Sequence, residues 1–105
     1  MEVAGKNVLV VGMARSGLAA AEFLVSQGAA VHAADSKPLS ELGDAAQKLG
    51  DLGITFEQQG PGLIDGRDLI VISPGVPADL ELLEAARARG VSVIGELEMA
   101  SDFLL

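Results

Sequence analysis

Apolar residues along this chain alternate between short, nearly unbroken runs and longer stretches with helical spacing. Residues 7–11, Asn7-Val8-Leu9-Val10-Val11, read as a strand buried on both faces. Residues 16–27 follow with Leu18, Ala21, Phe23, Leu24 and Val25 forming a broad apolar helical face, and Gly28 stands where a left-handed residue ends a helix. A second strand over 30–34 stops at Asp35. Residues 39–52 read as one helix, with Pro38 near its start and Ser36 or Ser40 as its cap. After Gly53 comes a short strand over 54–58, then a Gly- and Pro-rich loop over 59–66 with room for a short helical turn. The continuous apolar run 69–72 is a third buried strand-like segment, broken by Ser73-Pro74-Gly75-Val76-Pro77. Residues 79–89 place Leu82, Leu83 and Ala86 on one helical side and Glu81, Glu84 and Arg87 on the other, and Gly90 ends that helix. A strand over 92–94 and a helix over 96–104 complete the series.

Strands alternating with helices argue for an α/β fold: a Rossmann-like parallel sheet of about five strands with helices on both faces. Ligands of such sheets sit beyond the carboxyl ends of the strands, at the point where strand order reverses. Residues 12–17, 35–37 and 73–76 all end there and should meet in space.

The first of these segments carries the strongest chemistry. Gly12-Met13-Ala14-Arg15-Ser16-Gly17 joins a buried strand to a helix in the pattern G-x-A-x-S-G, with Ala14 at the middle glycine position of a G-x-G-x-x-G fingerprint. The first turn of a helix has N–H groups without intrahelical partners, and its dipole makes that end electropositive, so small residues there let a phosphate approach the backbone. A turn that only packs helix against sheet needs the same glycines. Arg15 stands inside the turn and could contact a phosphate, though the turn's backbone does not require it; Lys37 could lie near a phosphate or remain in solvent. Asp35 stands where dinucleotide folds place an acid that accepts hydrogen bonds from ribose hydroxyls; its structural alternative is a cap on the next helix. Ser36 and Lys37 share that loop. Ser73 and Gly75 belong to the element after the 69–72 strand, read as a wall of the cleft or as a strand-ending turn. His32, in mid-strand, reads as a packed or sheet-end histidine. There is no G-x-x-x-x-G-K-[ST] loop, no nucleophile elbow and no defensible carboxylate pair, so the chain reads as a binding domain with no catalytic residues of its own.

Bulk properties narrow the partners. At 105 residues the chain fits one domain. Its only aromatics are three Phe, so the core must be aliphatic. A net charge of −8 argues against nucleic acid, which needs clustered Lys and Arg. The absence of Cys excludes disulfides and thiolate metal sites and fits a cytoplasmic chain. No metal-ligand spacing, membrane-length apolar run or signal peptide is present.

Several elements together resemble a known family. Residues 12–20 (Gly12-Met13-Ala14-Arg15-Ser16-Gly17-Leu18-Ala19-Ala20), then Gly28 and Asp35, then Asp68-Leu69-Ile70-Val71-Ile72-Ser73-Pro74-Gly75-Val76-Pro77 and Gly95-Glu96-Leu97-Glu98 are similar to the N-terminal domain of the UDP-N-acetylmuramoyl-L-alanine:D-glutamate ligases of the Mur ligase family. The S-P-G-V-P and G-E-L-E elements are more specific than the glycine turn. The resemblance implies a UDP-substrate-binding domain over 1–95 and an exit helix over 96–105 leading to a central ATP-binding domain and then a C-terminal domain. It places Arg15 and Ser16 at the diphosphate, Asp35, Ser36 and Lys37 at the uracil end, and Gly75 on the cleft wall, with Gly12, Ala14, Gly17 and Ser73 completing the site. It implies that the full-length enzyme uses ATP and magnesium to activate the substrate carboxylate as an acyl phosphate for attack by D-glutamate, in peptidoglycan precursor synthesis. It also implies that this domain alone holds no cofactor and is inactive. Two alternatives stay open: a nicotinamide dinucleotide-binding domain of an oxidoreductase or redox sensor, and a regulatory nucleotide-sensing module.

Overall fold

The computed structural model describes residues 2–58, 60–77 and 80–104. Five strands, β1 (Asn7–Val11), β2 (Ala30–Asp35), β3 (Thr55–Gln58), β4 (Leu69–Ile72) and β5 (Ser92–Gly95), form one sheet in the order β3-β2-β1-β4-β5. Every neighbouring pair is parallel; β1 lies between β2 and β4, with Leu9 opposite His32 on one side and Ile70 on the other. The helices are α1 (Arg15–Ser26), α2 (Asp44–Asp51), α3 (Glu81–Ala88) and α4 (Glu96–Leu104).

The alternation within β1 decides the layering. Val8 and Val10 turn to one face of the sheet, where they join Ala20, Ala21 and Leu24 of α1, Leu49 of α2 and Met99 of α4. Leu9 and Val11 turn to the other face, with Leu82, Leu83 and Ala86 of α3 and with Leu63 and Ile64. All four β1 side chains from Val8 to Val11 are fully buried, as a central parallel strand covered on both faces requires. The buried core is aliphatic apart from Met13 and Met99; Phe56 and Phe103 pack against it partly buried, and Phe23, 37% exposed, meets Phe103 edge-to-face at 4.8 Å. The broad apolar face read on α1 thus narrows to Gly17, Ala20, Ala21 and Leu24 at its buried centre.

The 39–52 segment differs from the sequence reading. It is not one helix but a 3-10 turn, Leu39–Glu41, followed by α2. Gly43 lies between them at φ +58°, a left-handed conformation that cannot continue either helix and is open to glycine. Neither Ser36 nor Ser40 caps: the residues before the two elements are Pro38 and Gly43, and neither element has a side-chain cap. Helix α3 begins at Glu81, later than the sequence suggested, because Leu80 is still extended at its N-terminus; Asp79 lies outside the described residues. Helix α1 starts one residue early, at Arg15, and ends before Gly28, whose φ of +87° turns the chain toward β2. The loop before β4 holds the expected short turn, a 3-10 segment at Pro61–Ile64.

Candidate functional site

Chain order places β1 and β4 side by side while their following connections leave on opposite faces of the sheet, α1 toward β2 and α3 toward β5. A crevice must open between those connections, and a cavity of about 480 Å³ lies there. That volume falls in the range of about 300–1,000 Å³ usual for small-molecule sites. Its wall combines Gly12, Ala14 and Ser16 from the glycine turn, Asp35 and Ser36 from the end of β2, and Ser73, Pro74, Gly75, Val76, Pro77 and Leu80 from the segment after β4. The three segments expected to converge do so. Arg15, Gly17 and Lys37 do not line the cavity; Arg15 and Lys37 are exposed, and Gly17 is buried beneath the turn.

Two glycines make the turn possible. Gly12 sits at φ +96°, and a side chain there would meet Val76 at 2.8 Å and Ser73 at 3.0 Å. A Cβ on Gly17 would stand 1.8 Å from the Gly12 carbonyl oxygen and 2.4 Å from Ser73 Oγ. Helix α1 therefore starts in direct contact with the end of β1, a closeness that only a glycine at position 17 allows. The residue before the helix, Ala14, is extended, makes no side-chain cap, and no acid stands in the first turn. The first-turn N–H groups and the positive end of the dipole are thus left for an anion.

Hydrogen bonds tie the three segments into one rim. Ser73 Oγ donates to the Gly12 carbonyl at 2.9 Å, and the hydroxyl is nearly buried at 4% exposure of its residue. The Gly12 N–H donates to Ala34 O at 2.7 Å and the Ser73 N–H to Val11 O at 3.1 Å, extending the sheet ladder to its edge. Asp35 Oδ2 accepts the Met13 N–H at 2.7 Å, and Oδ1 accepts the Lys37 N–H at 2.9 Å. Gln58 Nε2 donates to Ser36 O at 3.0 Å. Asp35 is therefore not a helix cap; its carboxylate joins the glycine turn to its own loop.

Sequence reasoning missed part of the wall. Pro77 and Leu80, beyond the expected 73–76 segment, join Val76 in giving the cleft apolar lining beside the polar Ser16, Asp35 and Ser36. Among the described residues that line the cavity there is no Lys or His. His32 lies in β2, away from the cleft, its Nδ1 3.8 Å from Glu57 Oε2. Among the described residues no group of three or more acids and histidines is placed to hold a metal ion, and no helix is long and apolar enough to cross a membrane.

An all-parallel sheet in this order, with a glycine turn opening a helix beside the strand-order reversal, defines a Rossmann-like α/β domain. Solved structures agree. UDP-N-acetylmuramate-alanine ligase MurC from Thermotoga maritima superposes with a TM-score of 0.74 at 22% identity, over 94% of this chain and 23% of its own. D-lactate dehydrogenase from Escherichia coli superposes with a TM-score of 0.65 at 28% identity, over 90% of this chain and 29% of its own. The fold is thus common to ligases and dehydrogenases. Sequence is more selective: residues 6–95 match the family described as Mur ligase MurD-like, N-terminal domain. UDP-N-acetylmuramoylalanine--D-glutamate ligases of Solibacter usitatus and Koribacter versatilis are 54% and 50% identical to it, each over 99% of this chain. The chain belongs to the MurD-like N-terminal domain family of the Mur ligases. It spans 23% of the length of those two relatives.

Proposed function

We propose that this domain binds the uridine diphosphate portion of UDP-N-acetylmuramoyl-L-alanine, as the N-terminal part of a cytoplasmic ATP-dependent ligase that adds D-glutamate in peptidoglycan precursor synthesis. One observation carries the reading: the uncapped start of α1 opens into the same cavity as the Asp35–Ser36 edge and the Ser73–Pro77 wall, in a chain 54% identical to a ligase named for that substrate. The diphosphate fits the α1 N-terminus, where N–H groups and dipole favour negative charge without needing a basic surface. This suits a chain whose net charge is −8. The nucleoside fits the rest of the cleft, with the apolar side of Val76, Pro77 and Leu80 against a flat ring and Ser36 at its polar edge.

This chain has no ATP loop of the G-x-x-x-x-G-K-[ST] kind, and no chemical step is placed here. On this reading ATP and magnesium serve a central domain, toward which α4 leads. Helix α4 is anchored to this unit by Met99, 3% exposed, and by Phe103 against Phe23, while Leu97 is 82% exposed. A second, mainly apolar cavity of about 410 Å³ lies between α1 and α4.

The rival reading is a dinucleotide-binding domain, favoured by the superposition on D-lactate dehydrogenase and by the glycine turn. Titration of the ¹⁵N-labelled chain with UDP, NAD and NADP separates the two. UDP should shift residues 12–17, 35–37 and 73–76 together, with weak affinity from a cleft open on one side. Shifts of those residues by NAD and not by UDP would overturn the proposal.

A further inference from the structure

We propose that Asp35 serves the cleft as a positioning residue, clasping the phosphate turn to the base-side loop through backbone N–H groups, and does not grip the ribose. The proposal rests on the reading that the cleft takes a uridine nucleotide. In dinucleotide folds an acid at the end of the second strand faces the ribose diol. A bidentate grip on two hydroxyls needs both carboxylate oxygens turned to the ligand. Here Oδ2 accepts the Met13 N–H at 2.7 Å and Oδ1 the Lys37 N–H at 2.9 Å, so the two oxygens are aimed at two different loops and each has only its second lone pair left for a hydroxyl. Both bonds are charge-assisted, the stronger kind.

What the clasp fixes is the aim of the site. Met13 is the hinge between Gly12, at φ +96°, and the extended Ala14 that precedes α1. Its side chain is anchored in the core at 4% exposure, its N–H is held by Asp35, and the preceding carbonyl is held by Ser73 Oγ. With those three restraints the first N–H groups of α1 have one direction. On the other side, Lys37 N–H is held by Asp35 and Ser36 O by Gln58, so Ser36 is fixed at the cleft edge from both flanks. Removing the carboxylate frees the phosphate turn and the base-side loop from each other, and both ends of a nucleoside diphosphate lose alignment together.

The test is a cycle of two proteins and two nucleotides. Wild type and Asp35→Asn are each titrated with UDP and 2′,3′-dideoxy-UDP. A positioning role predicts that Asp35→Asn weakens both nucleotides by the same factor, about tenfold, and weakens inorganic pyrophosphate as well, which a contact to the base alone would spare; an unchanged pyrophosphate affinity overturns the proposal too. An unchanged UDP affinity, or a loss seen for UDP alone, overturns the proposal, the second because it would place Asp35 on the ribose. Ile54→Val, buried in the core away from the cleft, controls for general loosening and should leave the affinity of the folded chain unchanged. Should Asp35→Asn fail to fold, amide hydrogen exchange on the wild type decides: the Met13 and Lys37 N–H groups must be protected without ligand, and free exchange at either one overturns the clasp. If the wild type binds no uridine nucleotide, the reading of the cleft falls, while the exchange measurement still judges the clasp separately.

Discussion

Two helical glycines should respond to the same substitution with opposite signs. Gly17 lies in the first turn of α1, and its added Cβ would stand 1.8 Å from the Gly12 carbonyl oxygen and 2.9 Å from the carbonyl carbon. To reach 3.4 Å, where ordinary contact begins, the start of α1 must retreat by about 1.6 Å from the 1.8 Å position. The obstacle is backbone at the end of the central strand, so no side chain can swing aside. The retreat strips contacts from the interface that Ala20, Ala21 and Leu24 make with Val8 and Val10. Dispersion contacts lose a quarter to a half of their well over a gap of about 0.5–1 Å. Overpacking of this kind costs about 3 kcal/mol. The better helix propensity of Ala returns at most about 1 kcal/mol. Gly17→Ala should therefore destabilise by about 2 kcal/mol, a melting point lower by roughly 8–16 °C in a domain this size. Gly50, near the end of α2, has no atom within 4 Å of its added Cβ and no left-handed φ. Gly50→Ala should stabilise by about 0.5–1 kcal/mol, mainly by restricting the unfolded chain. Urea melts followed by circular dichroism at matched m-values measure both. A Gly17→Ala protein as stable as the wild type would refute the close approach of α1 to β1, and with it the geometry of the phosphate turn.

Three further outcomes are expected. Ser73→Ala removes the donor to the part-buried Gly12 carbonyl, a loss of about 1 kcal/mol in the same melts; an unchanged midpoint would show that water replaces the hydroxyl. Ser16→Ala should leave stability nearly unchanged, because the cap position of α1 belongs to Ala14, yet weaken UDP in calorimetry; equal affinity would leave the backbone as the sole phosphate ligand of the turn. The chain given ATP, D-glutamate and UDP-N-acetylmuramoyl-L-alanine should release no ADP in a coupled assay, and turnover by a homogeneous preparation would reveal a site that the cleft residues do not explain.

The sheet was legible because a doubly covered parallel strand has a one-dimensional signature. Asn7–Val11 and Leu69–Ile72 read directly from their apolar runs, and the helix over 96–104 from its period. Helix starts were less legible, since they depend on single backbone angles. Gly43 at φ +58° splits a segment whose composition suits one helix, and the extended Leu80 delays α3. Neither angle leaves a mark in the hydrophobic pattern. The convergence of the three loops followed from topology, because every β-strand end of a parallel sheet points the same way.

What the sequence could not separate is a residue's identity from its work. Asp35 and Ser73 occupy positions where a nucleotide fold commonly meets its ligand, and residue type alone suggests contact. Their hydrogen bonds run inward: Ser73 to the Gly12 carbonyl, Asp35 to the N–H groups of Met13 and Lys37. The polar side chains around the glycine turn hold it in place, and on the proposed reading the backbone they hold is what would face the diphosphate. This division suits an acidic domain whose proposed ligand is itself doubly charged. Arg15 and Lys37 lie outside the cavity wall, so attraction from the turn comes from α1's N–H groups and dipole, which carry no net charge and are fixed by the fold. Such attraction falls off within the first helical turn. A site of this kind therefore depends on placement within about half an ångström, and the contacts of Gly17 beneath the turn and Asp35 at the rim are where the chain commits its sequence to that placement.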